Sequence, residues 1–169
     1  MLVHSDISKL EFEIRRLISF FIGGLVVSGI TAFPLEWEVS LLQNIFQPWR
    51  WNNELAQWIE LIYKGLSETN QNYPFIGYGT DWLGFAHLVI AVAFVGPWRD
   101  PVRNKWIIEF GIIACLSIFP FAFIAGSIRG IPIFWRIVDC SFGIIGGLLL
   151  WKCYQKVKTL EKYKAIWAQ

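Results

Sequence analysis

Four stretches of this chain are too long, too apolar and too poor in charge to fold against water. They cover residues 17–34, 81–98, 106–128 and 133–151. A helix needs about 20 apolar residues to cross the ~30 Å hydrocarbon layer of a bilayer. Within that layer a helix satisfies its own backbone N–H and C=O groups, which lipid cannot do. The four stretches therefore predict four spanning helices. Composition agrees: 17% of residues are charged and 55% hydrophobic, where a soluble domain carries about 25% charge. A length of 169 residues suits one domain. The expected fold is all-α, a single integral membrane four-helix bundle.

The first stretch, LISFFIGGLVVSGITAFP, follows Lys9, Arg15 and Arg16. A basic start before an apolar run resembles a signal peptide, with Ala32 near a cleavage position. The run nearly reaches spanning length, and it is read as the first span. The second, DWLGFAHLVIAVAFVGPW, is short and ends at Gly96-Pro97, before the basic turn RDPVRNK. The third carries Pro120 near its middle. Proline removes one helical hydrogen bond, which predicts a kink, with Ser117 as a donor for the freed carbonyl. The fourth contains Arg136 and Asp139 and leads into a lysine-rich tail over 152–169, expected to leave the membrane as a helix. Trp82, Trp98, Trp106, Trp135 and Trp151 flank these stretches, where an apolar ring with a polar N–H suits the headgroup layer.

Residues 35–80 form a long amphipathic connection. Leu55, Trp58, Ile59, Ile62 and Leu66 recur at spacings of three and four. That pattern predicts a helix lying on the membrane or capping the bundle, started by Asn52 or Asn53. The stretch TNQNYPFIGYGT is rich in turn formers. Trp49-Arg50-Trp51 and the Trp58/Ile62 face suit either a lid over the bundle or a surface for another membrane subunit or a second copy of the chain.

Orientation follows from lysine and arginine. With the N-terminus inside, eleven basic residues outside the spans fall on the cytoplasmic side, and only Arg50, Lys64 and Arg129 on the other. Positive charge is retained inside. Both termini are then cytoplasmic, residues 35–80 are extracytoplasmic, and a bacterial inner membrane is the expected location.

Charge within a span costs about 2.5–3.5 kcal/mol at a helix centre, so such groups turn inward or pair. His87 and Asp139 each lie six residues from the outer end of their spans, roughly 9 Å deep. Asp81 and Arg136 are shallower on the same side. Arg136 and Asp139, three apart, share a helix face that Gly143 and Gly147 continue. Gly84, His87 and Ala91 form a comparable stripe, as do Gly24 and Ser28. Glu109, at the start of the third span, suits a helix N-terminus or a pair with Arg103 or Lys105.

Three functional readings follow. In the first, His87, Arg136, Asp139 and Trp82 bind a lipid-like, quinone-like or other amphipathic ligand beneath the outer surface. In the second, His87 acts as acid or base in a membrane enzyme with Asp81 or Asp139 as its carboxylate. In the third, Arg136 and Asp139 form a salt bridge, His87 bonds a carbonyl, and the protein is a structural or accessory subunit. Asp81, His87 and Asp139 become metal ligands only if loops bring them together, and His4 is the only other histidine. No cofactor is assigned. A net charge of +2 without a basic tract gives no support for nucleic-acid binding. Cys115, Cys140 and Cys153 show no ligand spacing and read as small hydrophobic residues.

Overall fold

The computed structural model describes residues 2–49 and 53–167, with side chains within 7–48 and 53–166. Arg50, Trp51, Asn52 and the side chains of His4 and Trp49 lie outside the described residues. The described chain is helical: α1 (Leu2–Thr31), α2 (Leu35–Phe46), α3 (Glu54–Asn72), α4 (Tyr78–Ala93), α5 (Val95–Arg99), α6 (Lys105–Ile128) and α7 (Ile133–Trp167). Four helical stretches are long and apolar enough to cross a bilayer: Ile7–Thr31, Pro74–Arg99, Lys105–Ile128 and Ile133–Ile166. This is an integral membrane protein with four long apolar helices. Most of their large apolar side chains point outward, as lipid-facing positions should; Ile113, Ile124, Ile128, Ile137 and Ile145 are examples.

Two compact units divide the chain, one joining Met1–Gly23 to Ala91–Gln169 and the other being Gly24–Ile90. In the first unit, α6 and α7 form an antiparallel hairpin held at positions without side chains. A Cβ on Gly111 would meet Leu150 Cδ1 at 2.6 Å, and one on Gly143 would meet the Cys115 carbonyl at 2.8 Å. The expected inward glycine face of the fourth span is therefore present. The hairpin turn is a Schellman motif. Gly130 has φ +67°, Ile131 N–H donates to the Gly126 carbonyl at 2.9 Å, and Gly130 N–H donates to Ser127 at 3.3 Å. Pro132 then precedes α7, as suits a helix start.

The expected Lys-rich tail is helical but has no break before it. α7 runs 35 residues without interruption. Leu150, Cys153, Val157 and Leu160 are fully buried at spacings of three, four and three. They make a narrow seam of the kind that joins two helices. Ile14, Ile18, Phe94 and Ile108 are also fully buried in this unit. Around them run three ion pairs: Glu11–Lys164 at 2.9 Å, Glu13–Lys156 at 2.5 Å and Lys105–Glu161 at 2.8 Å. Lys105 thus pairs with the tail rather than with Glu109. Pro120 is accommodated within α6. Ser117 Oγ donates to the Ile113 carbonyl at 2.8 Å, not to that of Leu116, the carbonyl that Pro120 frees. The basic turn after α5 is tied by Asn104, whose Nδ2 donates to the Asp100 and Gly96 carbonyls at 2.9 and 3.2 Å.

In the second unit, the connection that the sequence suggests as one amphipathic helix is two. Pro34 starts α2, whose Leu35, Val39, Leu42 and Phe46 recur at four, three and four. A 3-10 turn over Gln47–Trp49 ends it. The Asn53 side chain caps α3 by accepting from Leu55 N–H at 2.9 Å. α2 packs on α3, burying Val39 from one and Ala56 and Ile59 from the other. The end of α1 and the start of α4 meet at Gly29 and Gly84, where a Cβ on either would approach the other's carbonyl to 2.9 or 2.7 Å. The small stripe of the second span is thus used, against Gly29 rather than Gly24, around which there is open space.

Candidate functional site

A second 3-10 turn, over Pro74–Ile76, sets the geometry of the site. Tyr73 N–H donates to Thr69 at 2.7 Å, closing α3. Gly77 N–H donates to Pro74 at 3.1 Å, and the Thr80 hydroxyl donates to the Gly77 carbonyl at 2.7 Å, opening α4. Across from this turn, Asn70 Nδ2 donates to Glu36 Oε2 at 2.6 Å and clasps α3 to α2. Between α2, α3 and the head of α4 is an open cavity of about 1100 Å³, lined wholly by residues of the second unit.

Its walls are mixed. Phe33, Trp37, Tyr63 and Tyr78 supply aromatic surface, and Leu35, Ile62, Leu66 and Ile76 aliphatic surface. Glu36, Ser40, Thr69, Asn70, Thr80 and Asp81 supply polar groups. No described lysine or arginine lines it. Glu36 and Asp81 occupy the first turns of α2 and α4, where carboxylates suit exposed backbone N–H groups. Apolar walls with a few convergent polar groups are the usual make-up of a small-molecule site.

The sequence-predicted residues fall as follows. Asp81 lines the cavity. Trp82 does not; its ring makes edge contacts with Tyr78 and Phe85, centroids 5.9 and 5.6 Å away. His87, further along α4, has Nδ1 2.8 Å from the Leu83 carbonyl. A carbonyl only accepts, so Nδ1 carries the proton and donates, and in the neutral ring Nε2 keeps the lone pair. Asp81 is not hydrogen-bonded to the imidazole, and no acid/base dyad occurs among the described residues. Nor does any group of three or more His, Cys, Asp or Glu side chains able to hold a metal occur among them.

Arg136 and Asp139 belong to the first unit. The expected Arg136–Asp139 bridge gives way to another arrangement. Arg136 Nε donates to the Ile131 carbonyl and Nη1 to the Ser127 hydroxyl, both at 2.7 Å. Its stem lies over Gly126, where a Cβ would come within 3.0 Å of Cδ. The reason is local. The N–H groups of Trp135 and Arg136 both turn to the Pro132 carbonyl, so that of Ile131 is left for a side chain. Arg136 thus closes the α6–α7 turn on itself.

No model of a known family, no curated protein and no solved structure matches the chain. The residues that sequence reasoning missed are Glu36, Trp37, Tyr63, Asn70 and Tyr78. The signal available for them was weak: Glu36 and Trp37 follow a span directly, and Tyr78 precedes one.

Proposed function

We propose that this protein binds a lipid-like or otherwise amphipathic ligand in the cavity between α2, α3 and the head of α4. The observation that carries the reading is the lining itself: aromatic and aliphatic walls for a chain, with carboxylates, hydroxyls and an amide for a head. At about 1100 Å³ the space holds a head and part of a chain. The charge distribution supports a four-span bundle in a bacterial inner membrane, with both termini cytoplasmic and the cavity at the outer leaflet. In this reading Asp81 belongs to the head site, and Trp82 and His87 follow it along α4 in the membrane span, while Arg136 and Asp139 belong to the other unit. The enzyme alternative, His87 with Asp81 or Asp139, has less support because the imidazole's one hydrogen bond among the described residues goes to the Leu83 carbonyl and not to a carboxylate.

Gly65 provides the test. It lines the cavity, and a Cβ built on it has nothing within 4 Å. Gly65→Leu therefore adds bulk to the cavity wall at a position where the new Cβ displaces nothing. Native mass spectrometry of protein released from membranes is expected to show a bound amphiphile on the wild type and its loss in Gly65→Leu. Identical spectra for the two proteins refute the proposal. Reagent access to a cysteine at Phe75 from the cytoplasmic face alone overturns the orientation.

A further inference from the structure

Resting on that reading, we infer that the head group the cavity takes is positively charged, an alkylammonium. Glu36 and Asp81 both line the cavity, and no described lysine or arginine does. Glu36 has one oxygen engaged, by Asn70 at 2.6 Å. Among the described residues no hydrogen bond or ion pair reaches the Asp81 carboxylate, which leaves it available to a ligand. A cavity that took an anionic head would bring it against these two carboxylates with no described lysine or arginine in its lining to offset them.

The rings point the same way. Phe33, Trp37, Tyr63 and Tyr78 line the same space. Aromatic faces attract ammonium groups, and quaternary ammonium heads are held by such rings together with carboxylates. The wider charge agrees. Residues 24–90 carry Glu36, Glu38, Glu54, Glu60, Glu68 and Asp81 against Arg50 and Lys64, a net of −4 in a chain whose total is +2. Retention of lysine and arginine on the opposite side of a membrane explains the shortage of basic residues here, but not the presence of two carboxylates among aromatic rings inside the cavity. Lys64, adjacent to the lining residue Tyr63, is itself paired with Glu60 at 3.0 Å. An acidic, aromatic cavity beside a membrane would draw in cationic amphiphiles and repel anionic ones.

The test is calorimetric titration of the full chain in zwitterionic nanodiscs with four probes: octyltrimethylammonium, octyl glucoside, octanoate and tetramethylammonium. Gly65→Leu protein gives the background partitioning. Octyltrimethylammonium is expected to bind saturably and on the order of tenfold more tightly than octyl glucoside, as one ion pair or cation–π contact allows. Asp81→Asn and Glu36→Gln each remove that preference and leave octyl glucoside unchanged; Glu36→Gln keeps an oxygen for Asn70. Equal affinity for the cationic and neutral probes, a preference for octanoate, or variants that retain the wild-type preference overturn the inference while the amphiphile site stands. Tetramethylammonium binding as tightly as the octyl compound upholds the ammonium chemistry and makes its source a free small cation. If no probe exceeds the Gly65→Leu background, both the inference and the binding site fall.

Discussion

Replacing Gly84 by alanine tests whether the second unit is held by direct helix-to-helix contact. A Cβ at that position would lie 2.7 Å from the Gly29 carbonyl oxygen, 3.1 Å from Phe33 Cε2 and 3.2 Å from Ala32 Cβ. Restoring ordinary contact requires the end of α1 and α4 to separate by on the order of 0.7 Å, a gap that forfeits a quarter to a half of the dispersion well along the seam. Helix association in lipid depends on such packing, since burial of apolar surface gives little drive there. Overpacking of this kind costs about 1–3 kcal/mol. Against that, alanine in a helix gains about 0.5–1 kcal/mol over glycine. Gly24→Ala is the internal reference, because nothing lies within 4 Å of its Cβ and only the helix gain applies. The two variants share the propensity term, so their difference isolates the contact. Gly24→Ala is expected to be slightly more stable than wild type, and Gly84→Ala less stable than Gly24→Ala by about 1–3 kcal/mol. Unfolding in mixed micelles of increasing dodecyl sulfate content, followed by circular dichroism, measures both. Equal shifts in the same direction for the two variants refute the packing argument.

Arg136→Ala removes the donors to Ile131 and Ser127 and is expected to lower stability by about 2–3 kcal/mol in the same assay, with Ser127→Ala costing about 1 kcal/mol and Asp139→Asn little. Gly130→Ala forces a side chain onto φ +67° and is expected to cost about 1–2 kcal/mol, whereas Gly130→Asn costs less. The ion pairs on the helix ends outside the apolar runs 17–34, 106–128 and 133–151 give a pH dependence of known sign. Lys156, through its hydrogen bond and charge, holds the Glu13 carboxyl below the usual carboxylate range, so this pair's stabilisation is present at neutral pH and is lost as pH falls below about 4.3. Glu161 raises the Lys105 ammonium, mainly by hydrogen bonding, and the stabilisation from that shift is lost as pH rises above about 10.4. Glu13→Gln is therefore expected to flatten the acid limb of the stability profile, as micelle unfolding at several pH values will show.

Much of the fold was legible because hydropathy acts over whole stretches. The third span was read at 106–128 and α6 runs Lys105–Ile128; the fourth was placed from Ile133, where α7 begins. The amphipathic period of α3 and its Asn53 cap were also local signals. Two further features have a local signature in the residues: the four-three-four spacing that makes α2 a helix, and the Leu150–Leu160 seam that carries α7 on past Trp151. The cavity was not legible. It exists because Glu36 meets Asn70 across 34 positions, and because the turn at Pro74 aims α4 back toward α2. Arg136 illustrates a different gap. Spacing offered it Asp139, but a chain reversal left the Ile131 carbonyl without a backbone donor, and that vacancy has no signature in residue type.

The uninterrupted length of α7 has a mechanical consequence. Thirty-five residues make a rod about 52 Å long, so roughly 20 Å of it stands clear of the hydrocarbon layer. Because the helix is continuous, a displacement of the lysine-bearing end is coupled through its backbone hydrogen bonds to the membrane-embedded end. A tilt imposed on the lysines is passed along the helix toward the turn that Arg136 secures, and a spin label near Lys162 would report it.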